Sequence, residues 1–188
     1  LTERPLATRD WRVCNMQGAL NAPVAQAMIY LSSPTPNDRF LNVMCGSGTL
    51  LIERLNYGAV RSAVGCDISP SALECATQNI AQAGYTHHTQ LIQSDIVMLP
   101  FPNHSADVIC ADLPFGQLVG SHQENVHLYP IWLRKLERVL APNGRIVIIT
   151  HEIKLMQSIL PDIRPLNLVA KHQIVQRGLH PCIYILKK

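Results

Sequence analysis

The sequence is short of charge, because Asp, Glu, Lys and Arg make up only 15% of its 188 residues. Together with a hydrophobic share of 47%, this excludes a disordered chain. Neither sign dominates, since 16 Lys and Arg stand against 13 Asp and Glu. The net charge of +3 is too small to indicate a nucleic-acid partner by itself. A chain of this length suits one domain and buries roughly 70% of its unfolded surface.

Long apolar runs are also lacking, and none approaches the roughly 20 residues of a membrane span. The first residues include the charged Glu3, Arg4 and Arg9 without an apolar core, so we expect no signal peptide and a cytoplasmic location. The chain begins at Leu1 and its first methionine is Met16, which indicates a domain of a longer protein.

The sequence has no C-x-x-C pair, which argues against a zinc ribbon or a thioredoxin-like redox site. Its six cysteines are Cys14, Cys45, Cys66, Cys75, Cys110 and Cys182. We expect all six to be reduced, as in other cytosolic proteins, and we predict no metal site.

From residue 22 onwards, short apolar runs alternate with stretches of helical periodicity. The apolar runs lie at residues 40–44, 63–66, 91–92, 108–111 and 146–149. Pro23 and Pro70 each suit the first turn of a helix, and Ser69 is a suitable N-cap. Continuous apolar strands that alternate with helices predict an α/β fold, with a parallel sheet covered on both faces.

The two ends of the chain differ from this pattern. Residues 1–21 are polar and irregular, so we predict a linker segment there and a single domain over residues 22–188. Apolar stretches at residues 166–175 and 182–186 flank Gly178 and predict a closing hairpin.

A loop with two glycines follows the first predicted strand, where residues 45–49 read Cys-Gly-Ser-Gly-Thr. Glycines let the backbone approach a ligand closely, and the next helix presents free N–H groups to it. Asp67 ends the second strand, where an acid can hold the two ribose hydroxyls of a nucleoside. Asp95 ends the third strand and suits an adenine amino group. Leu51 stands where a dinucleotide fingerprint carries its third glycine, which disfavours a nicotinamide cofactor.

The sharpest motif follows the fourth strand, where residues 112–116 read Asp-Leu-Pro-Phe-Gly. This position is the carboxyl edge of the sheet, at which open α/β sheets bind ligands. The Asp112 carboxylate and a nearby backbone carbonyl can accept the N–H bonds of an amine on a planar ring and orient its lone pair. Pro114 fixes the turn, and Phe115 can stack on the base. The motif therefore favours methyl transfer to an exocyclic amine.

With these motifs, the chain resembles class I S-adenosylmethionine-dependent methyltransferases, and among them the catalytic domain of THUMP-domain tRNA guanine-N2 methyltransferases. The resemblance also draws on Gly-Ala-Leu-Asn-Ala-Pro at residues 18–23 and Leu-Tyr-Pro at residues 128–130. It implies a Rossmann-like seven-stranded sheet of order 3-2-1-4-5-7-6, in which strand 7 is antiparallel.

The same resemblance implies S-adenosylmethionine as cofactor and assigns the site residues. Those predicted to bind the cofactor are Asn21, Asn42, Cys45, Gly46, Gly48, Thr49, Asp67, Ile68, Asp95 and Ile96. Those predicted to act on the substrate are Asp112, Pro114 and Phe115. Asn42 stands where family members usually carry Asp, and a neutral amide lacks a carboxylate's attraction for the cofactor's ammonium and sulfonium groups.

We therefore predict transfer of a methyl group from S-adenosylmethionine to the N2 amine of a guanine in tRNA. We expect tRNA binding to depend on an RNA-binding domain outside this sequence. Same-class alternatives are a DNA amino-methyltransferase and an rRNA methyltransferase, which share an acid-x-Pro-aromatic motif. A non-catalytic RNA-binding subunit with the cofactor fold and a nicotinamide oxidoreductase are the alternatives from other classes. Glu152, which follows the fifth strand, is interpreted as part of a polar loop.

Overall fold

A mixed sheet organises the computed structural model, which describes residue 5 and residues 7–114, 121–175 and 178–188. Over these residues the strands are β1 (Arg39–Val43), β2 (Ser62–Asp67), β3 (Thr89–Gln93), β4 (Ala106–Asp112), β5 (Leu140–Thr150), β6 (Asn167–Gln173) and β7 (Cys182–Lys187). Their order is β3-β2-β1-β4-β5-β7-β6. The strands β1 to β5 pair in parallel, and β7 is antiparallel to both β5 and β6. The predicted topology is confirmed.

Helices cover both faces of this sheet. They are α1 (Ala22–Leu31), α2 (Thr49–Tyr57), α3 (Pro70–Gln82), α4 (His122–Val139) and α5 (Ile153–Ile159). The first three pack on one face, and α4 and α5 pack on the other. Local sequence explains their ends: Asn21 is the N-cap of α1, the Ser69 side chain accepts the Ala72 N–H at the start of α3, and Gly84 adopts φ +80° just after α3 ends.

The start of β5 departs from the sequence prediction. The apolar run lies at residues 146–149, but the strand already begins at Leu140 and includes residues 142–144, whose Pro-Asn-Gly sequence is typical of a turn. Leu140 pairs with Ala106 and Arg145 with Val108, so β5 carries extra residues between these pairs. Asn143 lies among these extra residues and adopts a left-handed backbone conformation, with φ +64°. Tertiary pairing with β4 thus overrides the local turn signal.

The N-terminal segment before α1 folds back onto the domain, with Trp11 buried in the same core as α1 and α2. The Arg12 guanidinium donates to Thr49 Oγ1 at 2.9 Å, and the Asn79 side chain bonds the backbone of Val13 and Cys14. The boundary at residue 21 stays a prediction.

Our expectation of six reduced cysteines is wrong, because Cys14 and Cys75 form a disulfide. The N-terminal segment lies against α3, which brings the two Cα atoms to 5.4 Å, within the usual range for a disulfide. The two cysteines are 61 residues apart in the sequence, and no local pattern indicated that they would be in contact. Cys45, Cys66, Cys110 and Cys182 are free and buried.

A buried charge cluster lies near the amino end of β1. Asp38 accepts a hydrogen bond from Arg145 at 2.8 Å and lies 3.9 Å from the Arg54 guanidinium. The side chains of Arg54 and Asp38 are only 1% and 5% exposed. Arg54 also donates to the carbonyls of Thr35, Gly58 and Ala59. The charge on Asp38 therefore balances guanidinium charge that water reaches poorly.

None of the helices in the described part of the chain combines the length and the hydropathy that a bilayer span requires.

Asp38→Ala is expected to lower the free energy of unfolding by about 3 kcal/mol, because it leaves buried guanidinium charge unpaired. Urea denaturation measures the loss, as a lower midpoint concentration of urea with an unchanged m value. Asp107→Ala is the matched control, because Asp107 and its partner Arg39 are 30% and 34% exposed. The control should cost no more than about 1 kcal/mol. Equal losses in the two variants would contradict the role of burial.

Thiol titration of the denatured, unreduced protein is expected to return four thiols, since four cysteines are free. After reduction the same titration should return all six. Replacing both Cys14 and Cys75 with Ser should leave the unreduced count at four. Six thiols before reduction would mean that the disulfide does not form.

Candidate active site

A cavity of about 540 Å³ opens at the carboxyl ends of the parallel strands. Its walls come from the loops after β1, β2, β3 and β4, from the segment before α1, and from the first turns of α4. The lining includes residues 16–20, 44–47, 66–69, 94–97 and 112–114. The strand order reverses at β1 and β4, and open α/β sheets bind ligands at such a reversal.

The glycine loop forms one wall of this cavity and depends on backbone conformations that glycine favours. Gly48 adopts φ +80° as the N-cap of α2, and a Cβ atom there would lie 3.3 Å from the Ala76 Cβ. Gly46 adopts φ +52°, and its N–H donates to Asp67 Oδ2 at 2.8 Å. Met44, just before the loop, has φ +52°, which costs a non-glycine residue roughly 1–2 kcal/mol. The loop is therefore held in a strained, specific shape beside the cavity.

Asp67, the last residue of β2, and Asp95, two residues after β3, both line the cavity. Asp67 orders the loops around it, because its two oxygens accept the N–H groups of Gly46 and Ser69. Asp95 accepts the Val97 N–H at 2.9 Å and opens a 3₁₀ turn at Ile96–Met98. Each carboxylate oxygen has two acceptor positions, so both acids retain capacity for ligand hydroxyl or amino groups.

Asp112 ends β4 at the cavity and differs from the other two acids. Its Oδ1 atom is buried and has no hydrogen-bond partner among the described residues. This desolvation raises the pKa of the carboxyl group from 3.8 to about 7. The next residue is held by the neighbouring strand, because the Leu113 N–H donates to the Ile149 carbonyl at 3.1 Å. Asp112 thus lines the cavity with a carboxyl group that has no partner at Oδ1 among the described residues, on a backbone tied to β5.

The carbonyl of Pro114 is satisfied by two side chains of α4. Tyr129 Oη donates to it at 2.6 Å, and Asn125 Nδ2 donates at 3.2 Å. Tyr129 Oη also bonds Thr150 Oγ1 at 2.7 Å, and Asn125 Nδ2 also donates to Glu152 Oε1 at 3.1 Å. These four supporting residues were missed as site residues. Their signal was present in Asn125 and Tyr129, polar residues four apart on one helix face, which need partners when buried.

Seven of the ten predicted cofactor residues line the cavity, and three do not. The residues that line it are Cys45, Gly46, Thr49, Asp67, Ile68, Asp95 and Ile96, and Gly48 supports the loop from behind. Asn21 is the N-cap of α1, outside the lining. Asn42 is buried within β1, where its Nδ2 donates to the Cys110 and Val43 carbonyls. Cofactor contact by all ten residues stays a prediction.

Three further residues complete the comparison with the sequence predictions. Asp112 and Pro114 line the cavity, whereas Phe115 lies outside the described residues. Burial raises the pKa of the Cys45 thiol well above its ordinary value, which keeps the thiol protonated and suits packing. Across residues 7–114, 121–175 and 178–188, His, Cys, Asp and Glu form no group of three or more that could hold a metal ion.

Comparison with known proteins adds independent information. A family model described as "RMKL-like, methyltransferase domain" matches residues 9–180. The tRNA (guanine(6)-N(2))-methyltransferase THUMP3 of Bos taurus is 32% identical over 184 residues, which cover 90% of this chain and 36% of that protein. The U6 snRNA (guanine-N(2))-methyltransferase THUMPD2 of Bos taurus is 33% identical over 148 residues, which cover 79% of this chain and 28% of that protein.

Among solved structures, the crystal structure of TrmN from Thermus thermophilus superposes with a TM-score of 0.87 at 28% identity. The match covers 100% of this chain and 55% of that chain. The chain thus spans between 28% and 55% of the length of these relatives.

Asp112→Asn is expected to raise the Tm by at least about 2 °C near pH 8 and to change it less near pH 5. Because the folded-state pKa is raised from 3.8 to about 7, the stability that protonated Asp112 contributes is present at low pH and is lost as the pH rises through about 7. The amide side chain of the variant carries no charge at high pH, so the variant does not lose this stability. Thermal unfolding followed by circular dichroism at both pH values measures it.

Asp162→Asn serves as the control, because Asp162 is exposed. Its Tm shift should be small and similar at the two pH values. A Tm shift for Asp112→Asn that does not depend on pH would show that this carboxyl group titrates normally.

Proposed function

Because the chain belongs to the RMKL-like methyltransferase domain family, we propose that it methylates the N2 amine of a guanine in tRNA, with S-adenosylmethionine as the donor. The observation that carries the proposal is Asp112, which lines the cavity and whose Oδ1 has no hydrogen-bond partner among the described residues. The relatives described as guanine-N2 methyltransferases support this choice of target atom.

The cavity fits this cofactor in the chemistry of its donors and acceptors. Asp67 and Asp95 offer carboxylate oxygens at the two strand ends, which suit ribose hydroxyls and the adenine amine. Ile68 and Ile96 offer apolar surface beside them, and the glycine loop allows close approach. When bound, S-adenosylmethionine supplies a methyl group made electrophilic by its sulfonium.

The amine is a weak nucleophile, because its lone pair is delocalised into the ring. Asp112 acts on this lone pair. Its carboxylate accepts an N–H of the amine, turns the lone pair out of the ring plane and takes up the released proton late. The low polarity around Oδ1 strengthens that hydrogen bond. The target guanine must leave its stack to reach Asp112, because the N2 amine is otherwise engaged in a base pair.

The proposal also names the RNA that serves as substrate. We favour tRNA over U6 snRNA because the match to the tRNA enzyme covers 90% of this chain, against 79% for the snRNA enzyme. Since the relatives are longer, we propose that an RNA-binding domain outside this sequence selects the RNA. A cytoplasmic location remains part of this proposal.

Calorimetric titration with S-adenosylmethionine, with NAD as the comparison, tests the cofactor. Methylation of unmodified tRNA, U6 snRNA and duplex DNA, followed by mass spectrometry of the nucleosides, tests the substrate. We expect binding of S-adenosylmethionine alone and N2-methylguanosine in tRNA. Binding of NAD, or methylation of adenine or cytosine instead, would refute the proposal.

Asp112→Ala is expected to lower the rate of methyl transfer at least about 100-fold while the Kd for S-adenosylmethionine changes little. Asp67→Ala should show the opposite balance, with the Kd raised at least about tenfold, because Asp67 serves the cofactor side. Single-turnover transfer and calorimetry separate the two effects. Equal losses of binding and transfer in Asp112→Ala would refute its assignment to the amine.

A further inference from the structure

The carbonyl of Pro114 is saturated by protein donors, although it belongs to the motif that faces the substrate. A carbonyl oxygen has two lone pairs, and the hydrogen bonds from Tyr129 and Asn125 occupy both. This carbonyl is therefore closed to the target amine. It serves instead as the point at which the rest of the protein holds the motif.

The donors to Pro114 are themselves fixed by the end of the next strand. Tyr129 contacts Thr150, and Asn125 contacts Glu152, which follows β5. We name these four residues, Asn125, Tyr129, Thr150 and Glu152, the Pro114 clamp. Asn125, Tyr129 and Thr150 are fully buried, and the Glu152 side chain is 11% exposed. The clamp thus ties α4, β5 and the motif together in a place that water barely reaches.

Proton counting gives this chain of hydrogen bonds one direction. The Pro114 carbonyl can only accept, so the single Tyr129 hydroxyl proton is directed to it. Thr150 must then be the donor in its 2.7 Å contact with Tyr129. The Thr150 oxygen in turn accepts the Glu152 backbone N–H at 3.0 Å. Bonds aligned in one direction polarise and strengthen one another.

We propose that the Pro114 clamp sets the position of Asp112 for methyl transfer, with Thr150 and Tyr129 as positioning residues that do not touch the substrate. Asp112 is two residues from Pro114, and the Leu113 N–H between them is held by Ile149. The backbone that carries Asp112 is therefore fixed from both sides of the sheet edge. The proposal rests on the methyl-transfer function proposed above, and it extends that function to Tyr129 and Thr150, which are not among the residues that line the cavity.

Thr150 offers a clean test, since Val has the same shape without the hydroxyl and Ser retains the hydroxyl. Thr150→Val is expected to lower kcat roughly 10- to 100-fold, because small misplacements of a reacting group have effects of that size. The Kd for S-adenosylmethionine and the KM for RNA should stay within about twofold. Thr150→Ser should keep at least about half of the wild-type kcat.

Two further variants distinguish a loss of positioning from a loss of folded protein. Tyr129→Phe removes the central hydroxyl and should lower kcat as Thr150→Val does. Tyr85→Phe is the matched control, because its hydroxyl donates to Asn56 at 2.9 Å beyond the end of α3. It should leave kcat unchanged, and Tm values should confirm that every variant is folded.

The outcomes separate this inference from the proposed function. A Thr150→Val enzyme with wild-type kcat, or equal loss in Thr150→Val and Thr150→Ser, would overturn the clamp and leave the function standing. Absence of guanine methylation by the wild-type protein on every RNA would overturn the proposed function, and the clamp with it.

Discussion

The pairing of β1 with β4 at the centre of the sheet determines where everything else in the site lies. Chain connections on the two sides of this pair run in opposite directions across the sheet, because β2 and β3 lie on one side and β5, β7 and β6 on the other. Loops at the carboxyl ends of the strands therefore diverge and leave a crevice between them. The glycine loop after β1 and the motif after β4 face each other across that crevice as a direct consequence.

Each half of the crevice is supported by a different part of the protein. On the β1 side, Asp67 holds the Gly46 N–H, and Asn79 joins the Ser47 carbonyl to the N-terminal segment. On the β4 side, Tyr129 and its neighbours hold the Pro114 carbonyl. The proposed roles of cofactor binding and amine positioning thus fall to two separate hydrogen-bond networks. Substitutions in one network are free to act on binding or on transfer without acting equally on both.

Much of the fold was predictable from local patterns. Apolar runs located the strands, and Ser69 and Pro70 marked the start of α3 because capping acts over one turn. The sheet order came from the family resemblance, since pairing of distant strands leaves no local trace. Leu140 shows the limit of periodicity, because it fits the apolar face of α4 and yet pairs with Ala106 in the sheet. The Cys14–Cys75 disulfide was wrongly expected to be absent for the same reason, since it depends on a contact between distant segments.

The amino-acid sequence by itself determined which chemical groups stand at the strand ends. A glycine loop, two acids and the Asp112 motif follow consecutive apolar runs, and strand direction places them at one edge. Only the tertiary structure decided how those groups are used. Among the described residues it left Asp112 Oδ1 without a partner, closed the Pro114 carbonyl with Asn125 and Tyr129, and enclosed Asn42 within the sheet. Burial and hydrogen-bond partners arise from packing between elements that are distant in sequence, so no local pattern encodes them.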